Sequence, residues 1–435
     1  MDILIYTEKV TPRLEYIIRL ILGELLGLNY SITHFVQEFH TFTGARINYS
    51  KQHLDDCLQI VPNGLLFETD IKTQTIDTAD WEGMKILFPT GNTETFPFDI
   101  FAACFFLVSR YEEYLPFIPD GHGRFEAHQS ITWEQGFLEK PVVNIWTLKL
   151  KEELRQQFPD LPVKKKKFRY ISTIDIDNAW AYRHKGFFRT TAAMVRSVLN
   201  FNTGNLGSQL SVLRGKSPDP YDNYNFLEKL EKKYGFSSVY FFLVGKYGRY
   251  DTNIPFSKSH YRYLILQRSQ KGTVGVHPSY RSNKSIAILQ KEVQKLSGLL
   301  NQQIRKSRQH FLMIRFPDTF EKLIEMEMSE DYTLGYAAHT GFRAGICTPF
   351  RFYNLKKEEE TNLVLVPFMV MDITLQQYMG LDPDQALQNI KEIVDSVKAV
   401  KGTFVSLWHN ESLSDKGVWK GWREVYEKML EYVYD

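Results

Sequence analysis

The run Tyr170-Ile171-Ser172-Thr173-Ile174-Asp175-Ile176-Asp177 joins β-forming residues to two carboxylates at its end. Side chains two positions apart on a strand project from the same face. Asp175 and Asp177 are therefore predicted to point together beyond the C-terminal end of a strand. Two adjacent carboxylates repel each other unless a cation or a shared proton lies between them. The alternative is a strand end whose aspartates cap the following helix or face water.

Downstream of this run, apolar stretches of strand length alternate with amphipathic helical stretches. Strands are predicted at residues 238–244, 273–276, 310–314, 362–366 and 402–409. Helices are predicted at 225–233, from 257 toward 267, after 282, after 317, from 383 and at 421–434. Repeated strand–helix units predict an α/β fold with a parallel sheet covered by helices, and barrel closure would gather the strand C-termini on one face.

The preceding 165 residues are predicted to form a separate unit. The pattern indicates strands at 3–6 and 85–88, a helix at 14–26 and a buried helix at 98–111. A change in composition at Leu161-Pro162, followed by the lysine run 164–167, marks the boundary. We therefore predict an N-terminal α/β domain of residues 1–165, whose role the sequence leaves open, and a C-terminal domain of residues 166–435.

Composition limits the class of partner and the compartment. The chain has 435 residues and a net charge of +2, from 53 basic and 51 acidic residues, which gives no electrostatic reason to expect nucleic acid or a membrane surface as partner. Its three cysteines are odd in number and far apart in the sequence. This pattern indicates a reducing compartment, and it argues against a zinc site with thiolate ligands. The N-terminus lacks signal-peptide features, and the apolar stretch 98–108 is too short to span a bilayer. We expect a cytoplasmic protein that acts on a small molecule or an oligosaccharide.

Two histidines, like the two aspartates, lie at the ends of predicted strands. His277 ends a predicted middle strand and His409 ends the last one. A single histidine at such a position is more often structural. Chemically active residues at three strand ends on one face, however, are typical of an α/β active site.

These motifs resemble those of the polysaccharide deacetylases, carbohydrate esterase family 4, and in particular a bacterial subgroup with two domains. That family carries a Thr-Phe-Asp-Asp type motif, a His-Ser/Thr-x-x-His metal motif, an Arg-x-Pro type motif and a late Leu-x-His motif. The matching stretches here are Thr173-Ile174-Asp175-Ile176-Asp177, Val276-His277-Pro278-Ser279, Gly341-Phe342-Arg343-Ala344-Gly345 and Leu407-Trp408-His409. The resemblance covers residues 168–435 and implies a deformed (β/α) barrel.

The resemblance also implies an activity and residue roles. The expected protein is a metal-dependent hydrolase that removes N-acetyl or other acyl groups from an amino sugar or a polysaccharide precursor. Asp177 and His277 would bind a divalent metal, with zinc as the expected ion. Asp175 would be the general base and His409 the general acid. Arg343 would orient and electrostatically hold Asp175.

The chain departs from the family pattern at the second metal histidine. Arg281 stands where that histidine belongs. His310 is the candidate substitute ligand, with a buried strand histidine as the alternative. Arg315-Phe316-Pro317 also fits an Arg-x-Pro pattern, but Pro317 resembles a helix opener, so Arg315 is the second candidate for the role of Arg343.

Four further residues are predicted to contribute to the substrate site. Aromatic faces suit sugar rings, and Trp180, Trp408 and Tyr280 neighbour the catalytic candidates. Ordinary packing is the alternative for such aromatic residues. Asp372 follows a predicted strand and is expected to line or support the site rather than to bind the metal.

Two other functions remain open at this stage. Arg281 at a ligand position is consistent with a non-catalytic carbohydrate-binding protein on a degenerate deacetylase barrel. The same fold could instead serve an amidohydrolase that cleaves a C–N bond outside a sugar.

Overall fold

The structure is a computed structural model that describes residues 2–91, 96–162, 166–186 and 203–435. The predicted domain boundary at 165/166 adjoins residues 163–165, which lie outside the described residues and include Lys164 of the predicted linker. The division into two domains at that point stays a prediction. Every helix within the described residues is too short or too polar to cross a membrane.

The first part of the chain contains two small sheets. Four parallel strands lie in the order β2-β1-β3-β4, and their bounds are Ile3–Thr7 (β1), Tyr30–Thr33 (β2), Ala45–Tyr49 (β3) and Leu58–Gln59 (β4). Thr78–Trp81 (β5) and Met84–Leu87 (β6) form an antiparallel pair. The helices are Pro12–Ile18, which continues as the π-helical segment Arg19–Leu25, and Val36–Thr41, Ile100–Val108, Ile131–Glu134 and Val142–Gln157.

The helix Ile100–Val108 is buried at all nine positions, as its uniformly apolar sequence predicts. The side chain of Asp99 caps its N-terminus by accepting a hydrogen bond from the backbone N–H of Ala102. Tyr49 and the backbone of Asn63 donate to the other carboxylate oxygen at 2.8 and 2.7 Å. Burial raises the pKa of Asp99 to about 6.

The second part of the chain contains a nine-stranded sheet in the order β12-β13-β11-β10-β9-β8-β7-β15-β14. The strands are Arg169–Ile176 (β7), Val239–Phe242 (β8), Thr273–Val276 (β9), Lys306–Ser307 (β10), Glu330–Asp331 (β11), Phe350–Asn354 (β12), Glu359–Leu365 (β13), Val370–Met371 (β14) and Thr403–His409 (β15). Only the β12–β13 pair among these described strands is antiparallel. The α/β prediction is confirmed, whereas no ladder within the described residues joins β12 to β14 and closes a barrel.

Helices follow most of these strands. They are Thr203–Leu213, Tyr224–Tyr234, Ser259–Ser269, Ile286–Leu300, Asp318–Glu325, Pro383–Ala399 and Trp422–Tyr434. Asp382 caps the helix Pro383–Ala399 and forms a reciprocal capping box with Gln385, as the Asp-Pro signal predicts. The alternation therefore places the C-terminal ends of the parallel strands at one edge of the sheet.

The predicted strand at 310–314 is wrong. The strand is Lys306–Ser307, and His310–Leu312 form a short turn in which Phe311 and Leu312 have positive φ angles of 61° and 53°. A short apolar run does not distinguish a strand from a buried turn. As a consequence, His310 lies beyond the strand, at the edge where the other strands end.

A buried ion-pair cluster connects the first part of the chain to the second. Glu113 accepts hydrogen bonds from Arg343 at 2.5 and 2.9 Å and from Arg110 at 2.8 Å. Arg110 also donates to the backbone carbonyl of Arg343. Because all three side chains are almost fully removed from water, each charge depends on its partners in the cluster.

Neutralising Glu113 should destabilise the protein strongly. Glu113→Gln leaves the buried guanidinium of Arg343 without its anion and Arg110 with only Glu112, at 3.5 Å, and we expect a loss of about 3–5 kcal/mol in the free energy of unfolding. The control, Asp80→Asn, removes the same charge from an exposed pair with Lys85 and should cost less than about 1 kcal/mol. Urea denaturation measures both variants, and equal losses would contradict the assigned role of the cluster.

Candidate metal centre and catalytic cleft

Charged side chains meet at the C-terminal edge of the nine-stranded sheet. Because β7, β9, β10, β14 and β15 are part of one parallel arrangement, residues that follow them converge. In register, Asp175 on β7 pairs with His409 on β15, so their side chains share a face. The residues brought to this edge are Asp175, Asp177, His277, Arg308, His310, Asp372 and His409.

Three of these residues form a possible metal site. One ligand atom from each of Asp177, His277 and His310 lies within 4.8 Å of the other two. Asp177 Oδ1 is 3.1 Å from His277 Nε2, and its Oδ2 is 3.4 Å from His310 Nε2. Two imidazoles and a carboxylate are a known ligand set for catalytic zinc, which takes water at its fourth position.

The surroundings of these ligands fit a metal ion. Asp177 Oδ1 is buried and has no hydrogen-bond partner among the described residues, since its contact with His277 lacks hydrogen-bond geometry. The Nδ1–H of His277 donates to the carbonyl of Arg308, and that of His310 donates to Asp251 at 2.9 Å. Both hydrogen bonds leave the lone pair of Nε2 directed at the site, as metal-binding histidines require.

The ion pairs in the site shift the pKa values of its members. Burial alone would raise the pKa of Asp177, but His310 and His277 hold it well below its usual range. Burial opposes the charged form of His310, but Asp177 and Asp251 raise its pKa to about 9. A metal ion binds only the neutral imidazole, so metal binding must release this proton.

Asp175 is held by Arg308. Its Oδ1 accepts a hydrogen bond from Arg308 Nη1 at 2.9 Å, and its Oδ2 is 3.7 Å from His277 Nε2. The guanidinium of Arg308 lies 4.8 Å from the ring centre of Phe241, the β8 residue paired in register with Asp175. Arg308 thus reaches from the end of β10 across β9 and β8 to β7.

The prediction that Arg343 holds Asp175 is wrong. The side chain of Arg343 is committed to Glu113 and to the carbonyl of Gly335, at 2.8 Å, in the buried cluster described above. Arg315, the second candidate, is exposed. The short Gly-Phe-Arg and Arg-x-Pro patterns carry no information on which arginine contacts Asp175 on β7. In the structure that arginine is Arg308.

His409 is oriented by Asp372. Its Nδ1 lies 2.8 Å from Asp372 Oδ1, and its backbone N–H donates to Asp372 Oδ2 at 2.7 Å. Its Nε2 is 3.8 Å from Asp177 Oδ2. Burial disfavours the imidazolium, but Asp372, with Asp177 and Asp175 farther away, raises the pKa of His409 to about 10. Asp372 therefore supports the histidine rather than presenting a free carboxylate to a substrate.

A cavity of about 270 Å³ opens onto these groups. Its lining includes Asp175, Asp177, His277, His310 and His409. Arg281 does not line it and is exposed, so the cation at the expected ligand position lies outside the cavity.

The predicted aromatic walls are not part of this lining. Trp408 is fully buried and packs on Trp422 and Tyr426. The prediction that it forms a wall of the substrate site is wrong, because it precedes His409 on β15 and faces the opposite side of the sheet. Trp180 is also buried and packs against His184, and Tyr280 stacks on Tyr250 at 4.2 Å beside the cavity.

Sequence reasoning missed four residues of the site. Arg308 and Asp251 support Asp175 and His310, while Arg124 and Glu411 line the cavity. Burial raises the pKa of Glu411 to about 7. Arg308 and His310 are two residues apart, like Asp175 and Asp177, and this repeated spacing after a strand was the available signal. Asp251 and Arg124 lie in loops far away in sequence and gave none.

One family model matches the first part of the chain. Residues 3–159 match a family of unknown function, DUF7033. A search of curated proteins returns no match.

Solved structures similar to this chain include deacetylases and related proteins. A putative polysaccharide deacetylase from Mycobacterium smegmatis has a TM-score of 0.40 and 14% identity over 61% of this chain and 85% of its own. An allantoinase has a TM-score of 0.39 and 11% identity over 61% and 84%. A CE4-family pseudoenzyme from Bacillus anthracis has a TM-score of 0.31 and 12% identity over 61% of each chain.

The full chain should bind one divalent ion through Asp177, His277 and His310. We expect zinc titration of chelator-treated protein to give one site, which His310→Ala greatly weakens and Asp251→Asn weakens by about 10- to 100-fold. Affinity should rise with pH up to about 9, because protonated His310 cannot bind the ion.

The control for this titration is His53→Ala, since His53 is an exposed histidine whose side chain is 74% accessible. Its zinc affinity should equal that of the unaltered chain. Undiminished binding by His310→Ala would exclude His310 as a ligand.

Proposed function

We propose that this protein is a metal-dependent hydrolase that removes an acyl group, such as N-acetyl, from an amino sugar or a related small amide. The observation that carries this proposal is one cavity lined by a three-residue metal site, the carboxylate of Asp175 and the imidazole of His409. Metal-assisted hydrolysis of an amide uses these three components, as a Lewis acid, a general base and a general acid. The proposal also includes the fold that the motif resemblance implies, a deformed (β/α) barrel.

Asp177, His277 and His310 would hold the ion, and zinc fits two nitrogen ligands and one oxygen ligand. When bound, the ion supplies a Lewis acid that lowers the pKa of water and polarises the acyl oxygen. Asp251 and the carbonyl of Arg308 keep the two imidazoles in the tautomer that presents Nε2.

Asp175 is the proposed general base. It adjoins the metal site, with Oδ2 3.7 Å from His277 Nε2, and can accept the proton of the attacking water. Arg308 fixes the carboxylate through Oδ1 and leaves Oδ2 available for that proton. Arg308 is therefore a positioning residue.

His409 is the proposed general acid. With a pKa near 10 its ring is protonated at neutral pH, and Nδ1 is occupied by Asp372, so Nε2 carries the proton toward the cavity. Transfer of this proton to the departing nitrogen gives the free amine, while water completes the carboxylic acid.

The substrate class has two candidates, an N-acylated sugar and another small amide. Arg281 motivated a non-catalytic alternative, but it is exposed and does not line the cavity. A panel of acetylated sugars and simple amides, assayed for released amine, separates the two substrate classes.

Asp175→Asn and His409→Gln should each lower kcat by about 100- to 10,000-fold, because each removes one proton-transfer group. Zinc content should stay near one ion per chain. The measurement is turnover of the best substrate in the panel together with metal analysis, and His53→Gln is the matched exposed control. Unchanged turnover in either site variant would refute its assigned role.

Arg308→Gln should lower the rate of the chemical step. The Asp175 carboxylate loses the hydrogen bond that fixes its Oδ1, so kcat should fall more than KM changes. The exposed Arg315→Gln is the control and should keep the original kcat and KM. An unchanged kcat in folded Arg308→Gln would contradict the positioning role.

A further inference from the structure

A loop from the first part of the chain reaches the cavity. The backbone N–H groups of His122 and Arg124 both donate to Asp120 Oδ1, at 2.8 and 2.9 Å. Arg124 Nε donates to Asp120 Oδ2 at 2.7 Å. These bonds close residues 120–124 into a compact turn and orient the guanidinium of Arg124, which lines the same cavity as Asp175 and His409.

The terminal nitrogens of Arg124 contact only neutral groups within the described residues. Nη1 donates to the carbonyl of Phe311 at 3.0 Å, and Nη2 donates to the hydroxyl of Tyr378 at 3.3 Å. Each terminal nitrogen carries two N–H groups, so one on each side has no partner among the described residues. The carboxylate of Asp120 pairs with Nε, on the other edge of the guanidinium.

This arrangement suits an anionic ligand. Arg124 is only 8% exposed, so its remaining N–H groups are largely shielded from water. A guanidinium edge binds carboxylate or phosphate oxygens more strongly than neutral ones. An anion that enters the cavity can therefore accept hydrogen bonds from the remaining N–H groups of Arg124.

The loop is also held against the metal side of the cavity. The ring of His122 lies 4.7 Å from that of Phe311, the residue after the metal-site member His310, and contacts Tyr250 and Tyr280. Arg124 bonds the carbonyl of the same Phe311. The loop thus forms one wall of the cavity, at a fixed position relative to the metal site.

We propose that Arg124 is a substrate-binding residue, and that the substrate is a small acylated compound carrying a carboxylate or a phosphate. The substrate claim rests on the hydrolase function proposed above. The anion-binding claim does not, because it concerns a guanidinium edge whose occupancy is measured by binding alone. The first part of the chain then supplies specificity to a cavity whose chemistry comes from the second part. A cavity of about 270 Å³ suits one small substrate molecule of this class.

The test compares three probes of similar shape by calorimetry on the full chain, both chelator-treated and zinc-loaded. They are the neutral N-acetylglucosamine, its carboxylate-bearing relative N-acetylmuramic acid, and N-acetylglucosamine 6-phosphate. We expect at least one anionic probe to bind about 10- to 100-fold more tightly than the neutral one, and its identity tells carboxylate from phosphate. Arg124→Gln should abolish the preference, and Arg124→Lys should keep part of it.

Arg249→Gln is the matched control, since Arg249 is an exposed arginine that lies over Tyr250, and the ring of Tyr250 contacts that of His122. It should keep the full preference, and circular dichroism checks that the Arg124 variants are folded. Equal binding of all probes, no binding of either anion, an equal loss in Arg249→Gln, or a preference that folded Arg124→Gln retains would each overturn the proposal.

These outcomes are independent of the proposed function. Hydrolysis of neutral amides without any anion preference would leave the hydrolase proposal intact and remove the role of Arg124. An Arg124-dependent preference without hydrolysis would do the reverse.

Discussion

The site depends on opposite charges and hydrogen-bond partners for the charged groups that the sheet edge removes from water. A buried charge without a partner costs several kcal/mol, and here Asp175, Asp372 and Asp251 each meet a cation or an imidazole. Asp177 differs, because it lies among several imidazoles and keeps one oxygen without a hydrogen bond. The paired groups fix the geometry, and the unsatisfied oxygen is the point at which an ion would add most.

Much of this edge was predictable from local pattern. Asp175, Asp177, His277 and His409 each lie at or just after the end of a largely apolar strand, and the strand Thr273–Val276 has the predicted bounds. Since parallel strands end at one edge, four of the central side chains could be named from sequence alone. The face of Trp408 was predictable too, because strand alternation places it opposite His409.

The remaining parts depend on contacts distant in sequence. Arg308 reaches Asp175 only because β10, β9, β8 and β7 are neighbours in that order, and no local pattern encodes sheet order. Arg343 fits a family motif, yet its environment is set by Glu113, 230 positions away in the chain. Asp251 and Arg124 likewise act through tertiary proximity. Motif matching finds the groups at strand ends, whereas the fold decides which partners they meet.

The left-handed backbone at Phe311 and Leu312 has a consequence for how such chains diverge. Two successive non-glycine residues in this conformation cost about 1–3 kcal/mol each, so the turn depends on support from its surroundings. Part of that support comes from His122 and Arg124, which contact Phe311 through its ring and its carbonyl. A substitution at Phe311 changes the surface that His122 and Arg124 contact, and a substitution at His122 or Arg124 changes the surface that Phe311 contacts. Among relatives that share this architecture, positions 122, 124 and 311 should therefore change together across generations rather than drift one at a time.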